Sequence, residues 1–304
     1  MSALPARLLA VIALVVATGC ASAGEDAPRV VVTTNILGDV TRTVVGDEAE
    51  VTVLMKLDSD PHSFGVSAKE AALIEDADLI VYNGLGLEEG VLRNVGAAER
   101  AGVPALAVGE GVDPIRFTAD ETAGEPDPHF WTDPRRMAKA VDLIAERVVA
   151  HVDGVDAAAV RAGAAAYRAQ VERLDAWVER QVATIPPESR RLVTNHHVFG
   201  YFAQRYGFQV VGAVIPSGTT LASPSASDLK SLKDAIVRTG VKAVFADSSQ
   251  PDRLARVLAS EAGVDVKVVP LFSESLSGRS PGAATYLDMV RSNTEAMTRG
   301  LTGR

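Results

Sequence analysis

One long stretch without helix breakers constrains the fold of this chain most. Between Val155 and Val182 there is no proline and only one glycine, Gly163, and alanine is abundant. Hydrophobic residues from Val160 to Val178 fall on one stripe, with Arg and Glu elsewhere, which predicts a single amphipathic helix on the order of 40 Å long. Ile185-Pro186-Pro187 ends the pattern. A helix of this kind between two halves of a chain would act as a rigid spine rather than as a flexible linker.

Strand and helix signals alternate on both sides of this predicted helix. Ser67 and Glu70 form a capping box, and Asp133-Pro134 starts a helix with an N-cap aspartate and a proline in the first turn. Repeated strand–helix–strand units predict an α/β fold with largely parallel, doubly wound sheets. The predicted strands are 30–34, 51–55, 79–82 and 103–108 in the first half, and 191–194, 210–215, 244–246 and 266–272 in the second.

The length of the chain is enough for two α/β domains, each with its own core. The predicted second-half helices cover 198–206, 225–239, 254–262 and 283–297. The predicted division is a signal peptide over 1–19, a tether over 20–28, an N-terminal lobe over 29–153, a linking helix over 154–186 and a C-terminal lobe over 187–304.

The first twenty residues are typical of a secreted lipoprotein. One charge, Arg7, precedes an apolar run from Leu8 to Ala17, which is shorter than the roughly 20 residues that span a bilayer but suits a signal-peptide core. The run ends in Ala17-Thr18-Gly19-Cys20, which resembles the bacterial lipoprotein processing site. We therefore expect Cys20 to be the lipid-modified mature N-terminus, anchored to the outer face of the bacterial cell membrane. Cys20 is the only cysteine, so no intramolecular disulfide is possible.

The charge of the mature chain bears on its partners. Without Arg7 the chain has 29 basic and 39 acidic residues, a net charge of −10. An acidic surface argues against a nucleic-acid partner and is compatible with cation binding.

The tripeptide Asp-Pro-His occurs twice, at residues 60–62 and 127–129. Proline fixes its own φ and keeps the preceding aspartate out of the helical region, so each histidine follows a stiff turn. Such a turn can hold the histidine side chain in one orientation towards a ligand. We interpret His62 and His129, together with His196, as side chains that converge on one metal ion.

The candidate ligands share a position relative to the predicted strands. His62, His196 and Glu274 each follow a strand by a few residues, and His129 lies on a long loop after another. In open α/β sheets, ligands bind outside the carboxyl ends of the strands. Because two residues come from each half, the site is expected between the halves. Asp247 also ends a strand on the same rim, so the carboxylate ligand is Glu274 or Asp247, and the other would orient an imidazole.

Three stretches, taken in order and spacing, resemble the signature motifs of the zinc- and manganese-binding solute-binding proteins of ABC importers. The resemblance extends from Val30 to the final helix, and it includes the uninterrupted spine helix and the stretch 77–84. The signature stretches are Asp60-Pro61-His62-Ser63-Phe64, Asp127-Pro128-His129-Phe130-Trp131-Thr132-Asp133-Pro134 and residues 196–207, which begin His196-His197-Val198-Phe199-Gly200.

The resemblance implies a fold and a set of ligands. The fold has two pseudo-symmetric lobes joined by one long helix, with the metal in the interlobe cleft. By position, the ligands are His62, His129, His196 and, where the family usually has aspartate, Glu274. His197 matches a position that is not a ligand in the family, while His151, near the end of a predicted helix, has a structural role.

The resemblance also implies a function. The protein would be an extracytoplasmic receptor, and not an enzyme, that hands a divalent transition-metal ion to a membrane permease driven by an ATPase. Many zinc receptors carry a histidine-rich loop before the second Asp-Pro-His, but residues 117–125 contain no histidine, so any scavenging role of that loop is missing here.

The donor set favours zinc, with manganese as the alternative. Three nitrogen ligands and one oxygen ligand suit a borderline-soft cation. The Irving–Williams order predicts that such a site binds zinc more tightly than manganese. Manganese receptors of the family commonly have glutamate where this chain has His196, whereas a bidentate Glu274 would favour manganese. Imidazoles must be neutral to ligate and have an unperturbed pKa of about 6.5, so affinity is expected to fall below about pH 6.

Two other functions fit less well. A zinc-dependent hydrolase needs three protein ligands and an open position for water, which His62, His129 and His196 alone would provide. No His-Glu-x-x-His motif accompanies them. An adhesin-like surface lipoprotein with incidental metal is the third hypothesis.

Overall fold

The computed structural model describes residues 27–119, 122–262, 266–278 and 282–303. The predicted signal peptide, Cys20 and most of the tether lie outside these ranges. Within them, the longest helices are too short or too polar to cross a membrane.

Two parallel four-stranded sheets with the same strand order form the framework. In the first sheet, strands β1 (Arg29–Val32), β2 (Glu50–Val53), β3 (Leu79–Tyr82) and β4 (Ala105–Ala107) are arranged in the order β2-β1-β3-β4. In the second, β5 (Arg191–Thr194), β6 (Gln209–Ala213), β7 (Ala243–Asp247) and β8 (Lys267–Leu271) are arranged in the order β6-β5-β7-β8. The repeated order relates the two halves by pseudo-symmetry and confirms the predicted α/β fold with parallel sheets.

Helices follow most of the strands, as expected for parallel connections. The predicted capping box at Ser67 and the predicted N-cap at Asp133 are present, because each side chain accepts a hydrogen bond from a backbone N–H in the first turn. A second capping box, at Ser225, was not predicted. The helices are α1 (Asn35–Val45), α2 (Ala68–Glu75), α3 (Leu92–Ala101), α4 (Pro134–His151), α5 (Ala157–Val182), α6 (Gly200–Tyr206), α7 (Ala226–Thr239), α8 (Arg253–Glu261) and α9 (Tyr286–Thr302).

Some predicted boundaries differ from the observed ones. The last helix begins at Tyr286 rather than near residue 283, because the Thr285 side chain caps it, and it continues to Gly303, which adopts the left-handed conformation. The strand predicted over 103–108 is shorter, because a 3₁₀ turn starts at Val108. Helix α3 has no counterpart among the predictions.

Helix α5 buries one stripe of its surface, with which it packs against α1, α4 and α9, and most of its other residues are exposed. Its glycine has a packing reason, because a Cβ on Gly163 would lie 2.5 Å from the carbonyl oxygen of Val44 in α1. The buried stripe of α5 belongs to a single hydrophobic cluster that also contains Val30 of the first sheet and Phe245 of the second. The predicted spine therefore forms part of a core shared by both halves. The exact lobe boundaries stay a prediction.

Candidate metal centre

Four side chains from different loops converge between the two sheets. His62 follows β2, His129 lies just before a 3₁₀ turn at 130–132, His196 follows β5, and Glu274 follows β8. All four are buried, and each offers a ligand atom within 4.8 Å of the others. The structure thus brings together the three histidines and the glutamate that the sequence singled out.

The donor atoms are spaced as the ligands of one ion would be. The Nε2 atom of His129 lies 3.4 Å from Nε2 of His62 and 3.4 Å from Nε2 of His196. Four ligands about 2.1 Å from a tetrahedral zinc ion are about 3.4 Å apart. Glu274 Oε1 lies 3.1 Å from His196 Nε2 and 3.5 Å from His129 Nε2, and Glu274 Oε2 lies 3.9 Å from His62 Nε2.

The Glu274 carboxylate shows most directly that the cluster suits a cation. Both of its oxygens are buried, and neither accepts a hydrogen bond from any residue that the structure describes. A buried carboxylate without donors is costly unless it is neutralised by a proton or coordinates a metal. Accordingly, desolvation raises the pKa of Glu274 to about 8.

Burial keeps the imidazoles of His62 and His196 in the neutral form that metal binding requires. Desolvation lowers the pKa of His62 well below its usual range, and the neighbouring rings of His196 and His129 lower it further. Desolvation also lowers the pKa of His196. Neutral imidazoles bind metals through an unprotonated nitrogen.

The aspartate of each Asp-Pro-His turn fixes the turn that presents its histidine. Asp127 Oδ1 accepts hydrogen bonds from the backbone N–H of His129 at 2.9 Å and from its ring Nδ1 at 2.7 Å. Because Nδ1 of His129 carries the ring proton and donates it to Asp127, the Nε2 atom of His129 has a lone pair, which faces the cluster. Asp60 Oδ1 accepts the backbone N–H of His62 at 3.0 Å. The other oxygen of Asp60 accepts hydrogen bonds from Thr220 and Gln250 in the second half, at 2.6 and 2.9 Å.

Asp247 lies at the end of β7 and outside the four-residue cluster. Its Oδ1 accepts hydrogen bonds from the backbone N–H and the hydroxyl of Ser249, and its Oδ2 accepts one from the hydroxyl of Ser273. Ser273 directly precedes Glu274, so Asp247 fixes the segment that carries the glutamate.

The Glu274 segment is also fastened to the first half of the chain. Asn35, at the start of α1, donates to Ser275 Oγ at 2.7 Å and accepts from the backbone N–H of Leu276 at 2.9 Å. The indole of Trp131 donates to the carbonyl oxygen of Ser273 at 2.8 Å. Sequence analysis missed these contacts. Trp131 at least lies within a signature stretch, whereas Asn35 has no local signal.

The other two histidines lie outside the cluster. His197 is half-buried, its backbone N–H donates to Ser217, and its ring centroid lies 6.5 Å from that of Phe117. His151 is the exposed last residue of α4 and lies 3.0 Å from Arg147.

Comparison with known proteins identifies relatives along nearly the whole chain. The family model described as ZnuA, zinc-uptake complex component A, periplasmic, matches residues 30–300. The manganese-binding lipoprotein MntA of Bacillus subtilis is 31% identical over 300 residues, covering 93% of this chain and 94% of its own. The zinc-binding protein TroA of Treponema pallidum is 30% identical over 284 residues, covering 92% of this chain and 91% of its own.

Solved structures agree with these sequence matches. The periplasmic zinc-binding protein TroA of Treponema pallidum superposes with a TM-score of 0.81 at 29% identity, covering 90% of this chain and 99% of its own. A manganese-bound periplasmic metal-binding protein of Candidatus Liberibacter asiaticus superposes with a TM-score of 0.79 at 26% identity, covering 90% of this chain and 99% of its own.

Proposed function

Because the chain belongs to the ZnuA family of periplasmic zinc-uptake components, we propose that it captures a zinc ion between its two halves and delivers it to an ABC importer. The family consists of substrate-binding receptors of such importers and not of enzymes. In this proposal the metal is cargo, held for transfer.

The proposed ligands are Nε2 of His62, His129 and His196 and the carboxylate of Glu274. The observation that carries the proposal is the buried Glu274 carboxylate, which has no hydrogen-bond donor among the described residues and faces three imidazole nitrogens. A divalent ion would neutralise the carboxylate and occupy the lone pairs of the imidazoles. A tetrahedral shell of four protein ligands leaves no position for the activated water of a hydrolase.

Zinc is proposed as the cargo because of the donor chemistry. Relatives are named for zinc and for manganese, so kinship supports either ion. Three imidazole nitrogens favour zinc, whereas manganese prefers oxygen ligands. Spacings of 3.4 Å between the nitrogens also suit a small tetrahedral shell.

The proposed partners are a membrane permease, to which the protein hands its ion, and an ATPase on the other side of the membrane. We further propose that a lipid on Cys20 anchors the mature protein to the outer face of the bacterial cell membrane. The lipobox-like sequence supports this anchor, and relatives such as MntA are named lipoproteins.

Metal analysis and competition titration test the proposal. Protein purified without chelator should contain about one zinc ion per chain, and the metal-free protein should bind zinc at least about 100-fold more tightly than manganese, on the order of 2.7 kcal/mol. His196→Ala should abolish tight binding, whereas His197→Ala, which removes the adjacent imidazole, should leave it unchanged. Equal affinity for both ions would contradict the zinc assignment, and a chain without tight metal binding would contradict the receptor function.

A further inference from the structure

A cavity of about 470 Å³ lies behind the metal centre and is lined by Asp127, Thr194 and His197, among others. Two of these residues bond directly to the segments of proposed ligands, because Asp127 accepts from the His129 ring and the Thr194 hydroxyl donates to the carbonyl oxygen of His196. The exposed residues Arg116 and Thr118 line its outer part, so the cavity reaches the surface. It therefore leads from solvent towards the Nδ1 side of the His129 imidazole and towards the backbone of His196.

The ring of Phe117 contacts both this cavity and one of the proposed ligands. Phe117 lines the cavity, and its ring packs edge-on against His129, with centroids 6.2 Å apart and planes at 63°. The same ring lies against Gly218 of the second half, where an added Cβ would be 2.5 Å from Cε2 of the ring. Only a glycine at this position leaves room for the ring.

The backbone of Phe117 is fixed, so its side chain is the part that can move. Its N–H donates to Glu125 at 3.0 Å, and its carbonyl oxygen accepts from Gly124 at 2.9 Å. The neighbouring Ile115 accepts from the N–H of Asp127 at 2.9 Å, which ties this segment to the second Asp-Pro-His turn. Side-chain rotation of an aromatic ring is much faster than rearrangement of a hydrogen-bonded segment.

We propose that the Phe117 ring, seated on Gly218, closes a passage between the 470 Å³ cavity and the metal centre and so controls the rate of metal exchange. The inference rests on the proposed metal-binding function. Apolar groups around a metal site limit the access of water and of competing ligands. A ring that blocks access in both directions slows association and dissociation together and leaves the equilibrium affinity nearly unchanged.

Stopped-flow kinetics with zinc test this role. Association is followed by mixing metal-free protein with zinc, and dissociation by mixing the zinc-loaded protein with an excess of a chelating dye. Phe117→Ala should raise both rates at least about tenfold while changing Kd less than about threefold, and Phe117→Leu should give intermediate rates. Gly218→Ala should displace the ring and raise both rates, and the double variant should be no faster than Phe117→Ala alone.

Thr118→Ala is the matched control, because Thr118 is the next residue and lines the same cavity. It should leave both rates unchanged. If Phe117→Ala changed neither rate, or if only dissociation rose and Kd rose in proportion, Phe117 would not close a passage. A wild-type protein that did not bind one zinc ion would overturn the metal-binding function as well, so the two failures are distinguishable. Thermal melting and metal content of each variant verify that it is folded.

Discussion

At the residue scale, the Glu274 carboxylate carries the proton that metal binding must displace. Desolvation raises its pKa to about 8, so at pH 7 the metal-free protein is mostly protonated at this position. Desolvation lowers the pKa of His62 and His196, so these rings are neutral at the same pH. Between pH 6 and 8 the competition between metal and protons is therefore expected at the carboxylate, above the pH at which unperturbed imidazoles would titrate.

Zinc affinity should consequently fall as the pH is lowered through the pKa of Glu274. The fraction of metal-free protein with an ionised Glu274 drops from about one half at pH 8 to about 1% at pH 6, which predicts a loss of affinity of about 50-fold. Near pH 7, binding should release about one proton per zinc ion. Isothermal titration calorimetry in buffers of different ionisation enthalpy measures both quantities.

Glu274→Gln is the control for this prediction, because an amide has no titrating proton. The variant should bind zinc more weakly, with a much flatter dependence between pH 6 and 8 and little proton release. If wild type and variant showed the same pH dependence, Glu274 would not be the proton carrier.

His196 should set the preference between metals. Replacing it in the His196→Glu variant gives two nitrogen and two carboxylate donors, which moves the centre towards the oxygen-rich sites that manganese prefers. The ratio of manganese to zinc dissociation constants should therefore fall by about tenfold or more. Competition titrations of wild type and variant give this ratio, and an unchanged ratio would mean that His196 does not determine selectivity.

At the scale of elements, the segment that carries Glu274 follows a strand of the second sheet but is hydrogen-bonded to the first half of the chain. Asn35 at the start of α1 bonds Ser275, Leu276 and the carbonyl oxygen of Lys56. Trp131 bonds Ser273 from the other side of Glu274. These bonds fix the glutamate relative to the histidines of the first half, as partners of ligand segments do in metal sites.

Asn35→Ala should weaken zinc binding by about 10- to 100-fold, because the Glu274 segment loses its attachment to α1. It should also lower the free energy of unfolding by about 1–3 kcal/mol, since it leaves the buried N–H of Leu276 without an acceptor. Titration calorimetry and urea unfolding measure the two effects.

Asn293→Ala separates positioning from stability. Asn293 also bonds backbone near Glu274, donating to and accepting from Phe272 at 2.9 Å, but both residues belong to the second half. This variant should lose comparable stability and keep most of its zinc affinity. Equal losses of affinity in both variants would show that general loosening, and not the link between the halves, weakens the site.

At the scale of the whole molecule, one hydrophobic cluster covers one face of each sheet and includes the buried stripe of α5. The proposed ligands also come from both halves. Bound metal would therefore add a second connection between two halves that already share a hydrophobic core.

Zinc should stabilise the folded chain, because the cluster brings together residues far apart in sequence and the unfolded chain lacks it. At a free zinc concentration 100 times Kd, the stabilisation is about 2.7 kcal/mol, which corresponds to a rise in Tm of roughly 5 °C for a protein of this size. Scanning calorimetry with zinc and after chelation tests this expectation. His196→Ala should show little shift, and a Tm insensitive to zinc in the wild type would contradict binding at this centre.

The lipid anchor at Cys20 is tested on the full chain in a bacterial host. Cys20→Ser should prevent lipid attachment and give a shed or uncleaved protein, and the purified variant should bind zinc with wild-type affinity. Detergent phase partitioning distinguishes the two forms. Wild-type protein that partitions into the aqueous phase would contradict the anchor.

The sequence by itself determined the parallel α/β architecture, the long helix α5 and His62 and His129 as candidates, because these depend on local patterns. His196 became a candidate through its place after a predicted strand and through the family resemblance. Alternating apolar runs encode strands and helices, the absence of breakers encodes α5, and Asp-Pro-His encodes a stiff turn.

Tertiary structure decided which carboxylate faces the imidazoles. Glu274 and Asp247 both follow strands on the same rim, and the direction of each side chain depends on partners distant in sequence. Asn35 and Trp131 orient the segment of Glu274, while Ser249 and Ser273 engage Asp247. The contact between the Phe117 ring and Gly218 likewise depends on packing between the two halves, which no local sequence pattern encodes.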